Sequence, residues 1–293
     1  MPHTGQAQGR YADINGAHIY YEDEGSGHPL VLIHGWPMSA RMWDEQARVL
    51  KQYYRVIRYD RRGFGRSPAE PWKDPTSVHD QADLAALLRY LNIPHAYLLG
   101  HSAGAGVATR YALDHPEQVD ALILHGSGIG GFVLPEVGPF AVHDSSRILA
   151  ETRGMAELRR QWLSEPINHV PANKPEVAAL IDSIVGQYSG ADLLLPTPPP
   201  VPGQLPTIER LRDLKMPTLI IVGGDDMEFF HINADVLAFE IAGSEKVVIP
   251  GGGHLVNMIE PERYNAEVLR FLRAVERANG KRPGQEATRS APP

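Results

Sequence analysis

The sequence predicts an α/β protein: a mostly parallel, doubly wound sheet interrupted by an inserted helical cap. Three observations carry this. Short continuous apolar runs alternate with helical periodicity from Leu30 to His125. That rhythm lapses between Leu134 and Pro206, where no strand pattern is convincing. Strand–helix alternation then returns from Thr218. Continuous apolar runs read as strands buried on both faces, as a parallel sheet covered by helices requires.

Arg10–Ile14 and Ala17–Asp23 flank Asn15-Gly16, a two-residue hairpin signal. Leu30–Ile33 reads as a buried strand, and Ser39 as the cap of a helix running to Leu50. Val56–Tyr59 is the next strand. A helix starting at Thr76 puts Leu84, Leu87, Leu88 and Leu91 on one face. Strand Ala96–Leu99, helix Ser102–Asp114 and strand Ala121–His125 follow. The proline-dense run Pro196–Pro202 is a stiff extended linker. Strand Thr218–Val222, a helix near Asn233–Ile241, strand Lys246–Ile249 and a helix from Glu260 to about Glu276 complete the pattern. The expected division is a core over residues 1–133, a helical cap over 134–206, a second core part over 207–278 and a disordered tail over 279–293.

The chain has 293 residues and a formal charge of −7, with no Lys/Arg run. This gives no electrostatic footprint for nucleic acid or an anionic membrane. There is no cysteine, which rules out disulfides, thiolate catalysis and cysteine-based zinc sites. Met1–Arg10 lacks an apolar secretory core, and no apolar stretch approaches the ~20 residues of a membrane helix. The expectation is a cytoplasmic enzyme with a small-molecule substrate, with homo-oligomerisation left open.

Gly100-His101-Ser102-Ala103-Gly104 is the single G-x-S-x-G match. A strand precedes it and a helix follows. The turn must be sharp and strained, so its neighbours must be small. Helix N-terminal N–H groups then lie beside the Ser102 hydroxyl. A serine hydroxyl needs a general base to act as a nucleophile. His254 in Gly251-Gly252-Gly253-His254 leaves a strand on a loop that three glycines let fold tightly. The orienting acid belongs after strand Thr218–Val222, where Asp225 and Asp226 are adjacent candidates. His34-Gly35-Trp36-Pro37 follows strand Leu30–Ile33 and can supply an oxyanion donor. Pro37 has no N–H, so the Trp36 amide is the donor, and the Ala103 amide is the second. Asp60-Arg61-Arg62 reads as loop bracing near the elbow. Gly126-Ser127-Gly128-Ile129-Gly130-Gly131 matches a dinucleotide-binding pattern, but no helix opens at its third glycine, so it reads as a lead into the cap.

Leu30–Ser67, Ala96–Ala108 and the His254 loop running into Glu260-Pro261-Glu262 resemble the α/β-hydrolase superfamily. The nearest look is to its esterase, lactonase and cofactor-free haloperoxidase/perhydrolase branch. The resemblance implies an eight-stranded-type sheet, a Ser102–His254–Asp226 triad and no metal or organic cofactor. A G-x-x-D pattern in related hydrolases selects Asp226 over Asp225. The chain departs from haloperoxidase-like members at Ala103, where Met is common, at His101, where an aromatic is common, and at Gly224, where an acidic residue is usual. Epoxide hydrolases and haloalkane dehalogenases need an aspartate where Ser102 stands. The implied activity is hydrolysis of a small or medium, largely apolar ester or lactone. Carbon–carbon bond hydrolysis, amidase, acyltransferase or perhydrolase chemistry would use the same triad, and a triad-retaining receptor is a further alternative. Trp36, Phe132, Phe140, Trp162, Ile167 and Tyr188 are candidate pocket walls.

Overall fold

Asn15 (φ 46°) and Gly16 (φ 75°) both take left-handed backbone, as a tight type I′ hairpin turn requires. They join β1 (Arg10–Ile14) to β2 (Ala17–Glu24) at the start of a computed structural model that describes residues 9–68, 80–133, 142–194 and 205–280. β3 (Pro29–Ile33), β4 (Arg55–Tyr59), β5 (Ala96–His101), β6 (Val119–His125), β7 (Thr218–Gly223) and β8 (Glu245–Ile249) follow. They form one eight-stranded sheet in the order β1-β2-β4-β3-β5-β6-β7-β8. The β1/β2 and β2/β4 pairs are antiparallel, and every other neighbouring pair is parallel.

The strand order reverses at β3, which lies between β4 and β5. At such a reversal the loops leaving the carboxyl ends of adjacent strands diverge and open a crevice. The loops after β3 and β5 carry Trp36 and Ser102, so the topology itself places these residues together.

Ten helices are described: α1 (Asp44–Leu50), α2 (Asp80–Tyr90), α3 (Ala103–Asp114), α4 (Val142–Arg153), α5 (Met155–Ser164), α6 (Pro175–Gln187), α7 (Thr207–Arg210), α8 (Glu228–Glu240), α9 (Val256–Ile259) and α10 (Pro261–Ala278). Strand side chains alternate between two core layers. In β5, Leu98 joins Leu84, Val107 and Leu237 on one face. Tyr97 and Leu99 join Trp43, Leu50 and Val268 on the other. Helix α10 buries Tyr264, Val268, Phe271, Leu272 and Val275, a stripe at helical spacing.

Three details differ from the sequence expectation. Ser39 precedes a 3₁₀ turn (Ala40–Trp43) before α1, and its side chain caps nothing. Helix α8 begins at Glu228 rather than Asn233, directly after the loop in which the Asp226 carboxylate accepts the Met227 N–H at 2.8 Å. Strand β6 begins at Val119, two residues earlier than its apolar run suggests. The proposed helix start at Thr76, the proline run and residues 281–293 lie outside the described residues.

Between β6 and β7 the described residues 142–194 are helical or irregular, with no strand. This insertion is tied to the sheet domain at several points. Ile181, Ile184 and Val185 of α6 enter the second core layer. Lys174 reaches Glu260 at 2.8 Å. Leu158, Tyr188 and Leu193 form a small cluster with Phe64.

Candidate active site

Ser102 has φ 51° and ψ −117°, a strained conformation for a residue with a side chain. Its neighbours explain why it is tolerated. The Ser102 N–H donates to the His125 carbonyl at 2.8 Å, and the Gly106 N–H donates to the Ser102 carbonyl at 3.1 Å. A Cβ on Gly104 would lie 2.3 Å from the Ile33 carbonyl oxygen and 2.5 Å from that of His34. Only glycine lets α3 approach β3 that closely. The turn is therefore clamped from both sides, and the hydroxyl stands at the head of α3 facing a cavity of about 1390 Å³.

His254 lines the same cavity. Its Nδ1 lies 3.0 Å from Asp226 Oδ2, and the other carboxylate oxygen is held by the Met227 N–H. Asp226 is buried, whereas Asp225 is exposed and uses its backbone N–H on the Gly252 carbonyl at 3.0 Å. Of the two adjacent aspartates, Asp226 is the one that meets the imidazole. The His254 ring also packs on Phe230, with centroids 4.2 Å apart. The Gly126 φ is 53°, and a Cβ there would come within 2.8 Å of the His254 ring. The first glycine of the dinucleotide-like pattern thus makes room for an imidazole.

His101, the residue before Ser102, donates from Nε2 to the His254 carbonyl at 2.8 Å. This contact couples the elbow to the histidine loop. His101 is completely buried, and burial together with the neighbouring His254 and His125 holds its pKa far below the usual histidine value. It stays neutral, with the proton on the nitrogen that faces the carbonyl. His34 is also neutral: burial, then the Arg61 guanidinium, lowers its pKa to about 3. Its Nδ1 donates to the Gly35 carbonyl at 2.8 Å, and its Nε2 accepts the Arg61 N–H at 2.9 Å, which sets the loop that carries Trp36.

Trp36 and Ala103 both line the cavity, and neither amide has a protein acceptor among the described residues. The Trp36 indole turns away, donating to Tyr188 Oη at 2.8 Å and Asp192 Oδ2 at 3.2 Å. Backbone and side chain of Trp36 are thus free to do separate work. Ser102 Oγ has no hydrogen-bond partner among the described residues, His254 included. In unliganded sites this contact commonly tightens only with substrate.

Phe132, Trp162 and Ile167 line the cavity. Tyr188 is placed behind it, buried between Phe64 and Trp36 with centroids 5.7 and 5.6 Å away. Phe140 lies outside the described residues. Sequence reasoning passed over Phe229, Phe230 and Arg110, which also face the cavity. The first two follow the acid loop directly. Arg110 shares a face of α3 with Ala103 at i, i+7 spacing, the signal that could have found it. Asp60 and Arg61 brace loops: the Asp60 carboxylate accepts the Ala40 and Arg66 N–H groups at 2.7 and 2.8 Å. No group of three or more potential metal ligands occurs among the described residues. No described helix is long and apolar enough to cross a membrane.

Residues 28–167 match the family model described as alpha/beta hydrolase fold. The chain is 31% identical to a Synechocystis sp. protein named "Putative non-heme chloroperoxidase", over 93% of this chain and 100% of that one. It is 29% identical to a non-heme haloperoxidase of Rhodococcus erythropolis, over 88% of this chain and 97% of that protein. Among solved structures, a thermophilic esterase from Thermogutta terrifontis superposes with a TM-score of 0.74 at 27% identity, over 92% of this chain and 99% of that one. With this sheet, this turn and a relative of that identity spanning nearly its whole length, the chain belongs to the α/β-hydrolase fold family.

Proposed function

We propose that this enzyme is a serine hydrolase that cleaves a small or medium carboxylic ester or lactone, largely apolar around the reacting carbonyl. The observation that carries the reading is the Ser102 hydroxyl on its strained turn, facing one cavity with an imidazole that Asp226 holds at 3.0 Å. In the first half-reaction Ser102 Oγ attacks the carbonyl carbon and its proton passes to His254 Nε2. The Trp36 and Ala103 amides hold the oxyanion. The carbon–oxygen bond to the leaving alcohol breaks as His254 returns the proton to it, leaving an acyl-enzyme. Water then attacks with His254 again as base, the acid departs and Ser102 regains its proton. Asp226 keeps the His254 proton on Nδ1 and stabilises the imidazolium. The helical insertion acts as the lid and supplies one wall of the cavity.

Ser102→Ala is expected to lower kcat toward p-nitrophenyl acetate and butyrate by about 10⁴- to 10⁶-fold. Turnover undiminished in the mutant would overturn the assignment. The two relatives named as haloperoxidases favour a second reading, in which hydrogen peroxide replaces water as acyl acceptor and a peracid leaves. Peracid release from an ester and peroxide, in competition with hydrolysis, measures that branch.

A further inference from the structure

The cavity contains a cation that the hydrolytic scheme does not use. Ala103, Gly106 and Arg110 all line it from one face of α3. Helical side chains lean toward the helix N-terminus. Arg110 lies back over Gly106, such that a Cβ on Gly106 would sit 3.3 Å from Arg110 Nη1. Gly106 is one turn into α3, so the guanidinium reaches to within about 6 Å, along the helix axis, of the Ser102 end.

This guanidinium is poorly satisfied. It has five N–H donors, yet among the described residues its one hydrogen bond runs from Nε to the neutral Gln81 Oε1 at 3.3 Å. The neighbouring charges are already committed. Arg61 Nη2 donates to Asp80 at 2.6 Å. Arg62 is gripped by both Asp83 oxygens, at 2.9 and 2.8 Å. Asp80, the carboxylate that acts most on Arg110, is therefore shared with Arg61, and Asp114 pairs with Arg210 at 3.0 Å. Asp192 also lines the cavity and acts on Arg61, yet among the described residues no carboxylate is hydrogen-bonded to the Arg110 guanidinium. Burial and the Arg61 charge both oppose keeping the positive charge on Arg110. An incoming anion would offset both by pairing with the guanidinium.

We infer that Arg110 recognises a free carboxylate on the substrate, so that the enzyme favours half-esters or lactones of short dicarboxylic acids. A guanidinium fork matches a planar carboxylate with two parallel N–H···O bonds. The separation of about 6 Å from the reacting end fits a diacid of about four to six carbons at ~1.5 Å per bond. The reaction rests on the ester-hydrolase reading; the binding of the carboxylate does not.

The test compares mono-p-nitrophenyl glutarate with neutral p-nitrophenyl pentanoate. The wild type is expected to prefer the anionic ester by about 10- to 100-fold in kcat/KM, the worth of a charged hydrogen-bonded pair. In Arg110→Gln that ratio falls toward one, chiefly through KM, and in Arg110→Lys it is intermediate. Equal kcat/KM in the wild type, or an unchanged ratio in a folded Arg110→Gln, overturns the inference and leaves the ester reading standing. If the wild type cleaves neither ester, the ester reading fails by itself. Calorimetry of glutarate against glutaramide then decides the inference: wild-type binding of the diacid alone, weakened in Arg110→Lys and Arg110→Gln, supports it, and equal or absent binding sinks it. Should Arg110→Gln not fold, the wild-type ratio and Arg110→Lys still decide.

Discussion

The two walls of the cavity are held by different forces. On the sheet side, backbone meets backbone: the Ser102 N–H on His125, the Gly224 N–H on Ile249 and the Asp225 N–H on Gly252, at 2.8, 2.8 and 3.0 Å. Close packing at Gly104 and Gly126 leaves no slack. Across the cavity, the insertion near the site meets the sheet side through a side-chain pair and a single longer backbone bond. Trp36 Nε1 meets Tyr188 Oη at 2.8 Å and the His254 N–H reaches the Ile167 carbonyl at 3.3 Å, while Arg159 Nε braces the Tyr188 carbonyl within the insertion at 2.9 Å. The first wall fixes the Ser102 turn and the Asp226 loop; the second is tied to them by fewer and longer bonds near the site.

The difference can be broken deliberately. The largest effect belongs to the acid. Asp226→Asn is expected to cut kcat by about 10⁴-fold by spoiling the His254 tautomer. Asp225→Asn, on the exposed neighbour, should stay within about threefold; equal losses in both would show that the Asp226 contact does not orient the base. Next is Gly104→Ala, which forces a methyl group onto two carbonyl oxygens. Its cost is expected at about 3 kcal/mol or more, read from denaturant midpoints. Unchanged stability would mean that α3 is not clamped to β3.

A smaller effect comes from acid. His34 has a folded pKa of about 3, below its unfolded value. Between about pH 3 and 6.5 the unfolded chain binds a proton that the folded chain refuses, so stability falls as pH drops through that window. At pH 5 the loss is about 2 kcal/mol for His34. His101 and His125, both lowered by burial first, act in the same direction. Urea titrations at pH 7 and 5, with His34→Gln as the control, measure it. The smallest effect lies in the helical insertion. Tyr188→Phe removes the nearer of the two Trp36 indole acceptors and should cost about 1 kcal/mol of stability. It should alter KM several-fold while leaving kcat within about twofold; a large fall in kcat would mean that Trp36 depends on the insertion to present its amide.

The legible parts of this molecule were those written into neighbouring residues. Asn15-Gly16 specified a turn because the two left-handed conformations are local. The small residues around Ser102 announced a strained turn because the collisions they avoid are with the next turn of chain. The histidine loop was legible from three glycines. The six-residue glycine pattern at Gly126 was a false lead of the same local kind, and its actual purpose, room for the His254 ring, involves a residue far along the chain.

Sequence alone therefore determined the alternation of strands and helices, the strained turn at Ser102 and the order in which the Trp36, Ser102, Asp226 and His254 loops appear. Periodicity and backbone sterics act over a few residues and can be read there. Tertiary structure decided which aspartate faces inward across 28 positions, and that Tyr188 backs Trp36 across 152 positions rather than lining the cavity. It also decided that Arg110 faces the cavity with no carboxylate hydrogen-bonded to it among the described residues. Burial and charge balance are sums over everything that packs around a group, and no window of sequence contains those neighbours.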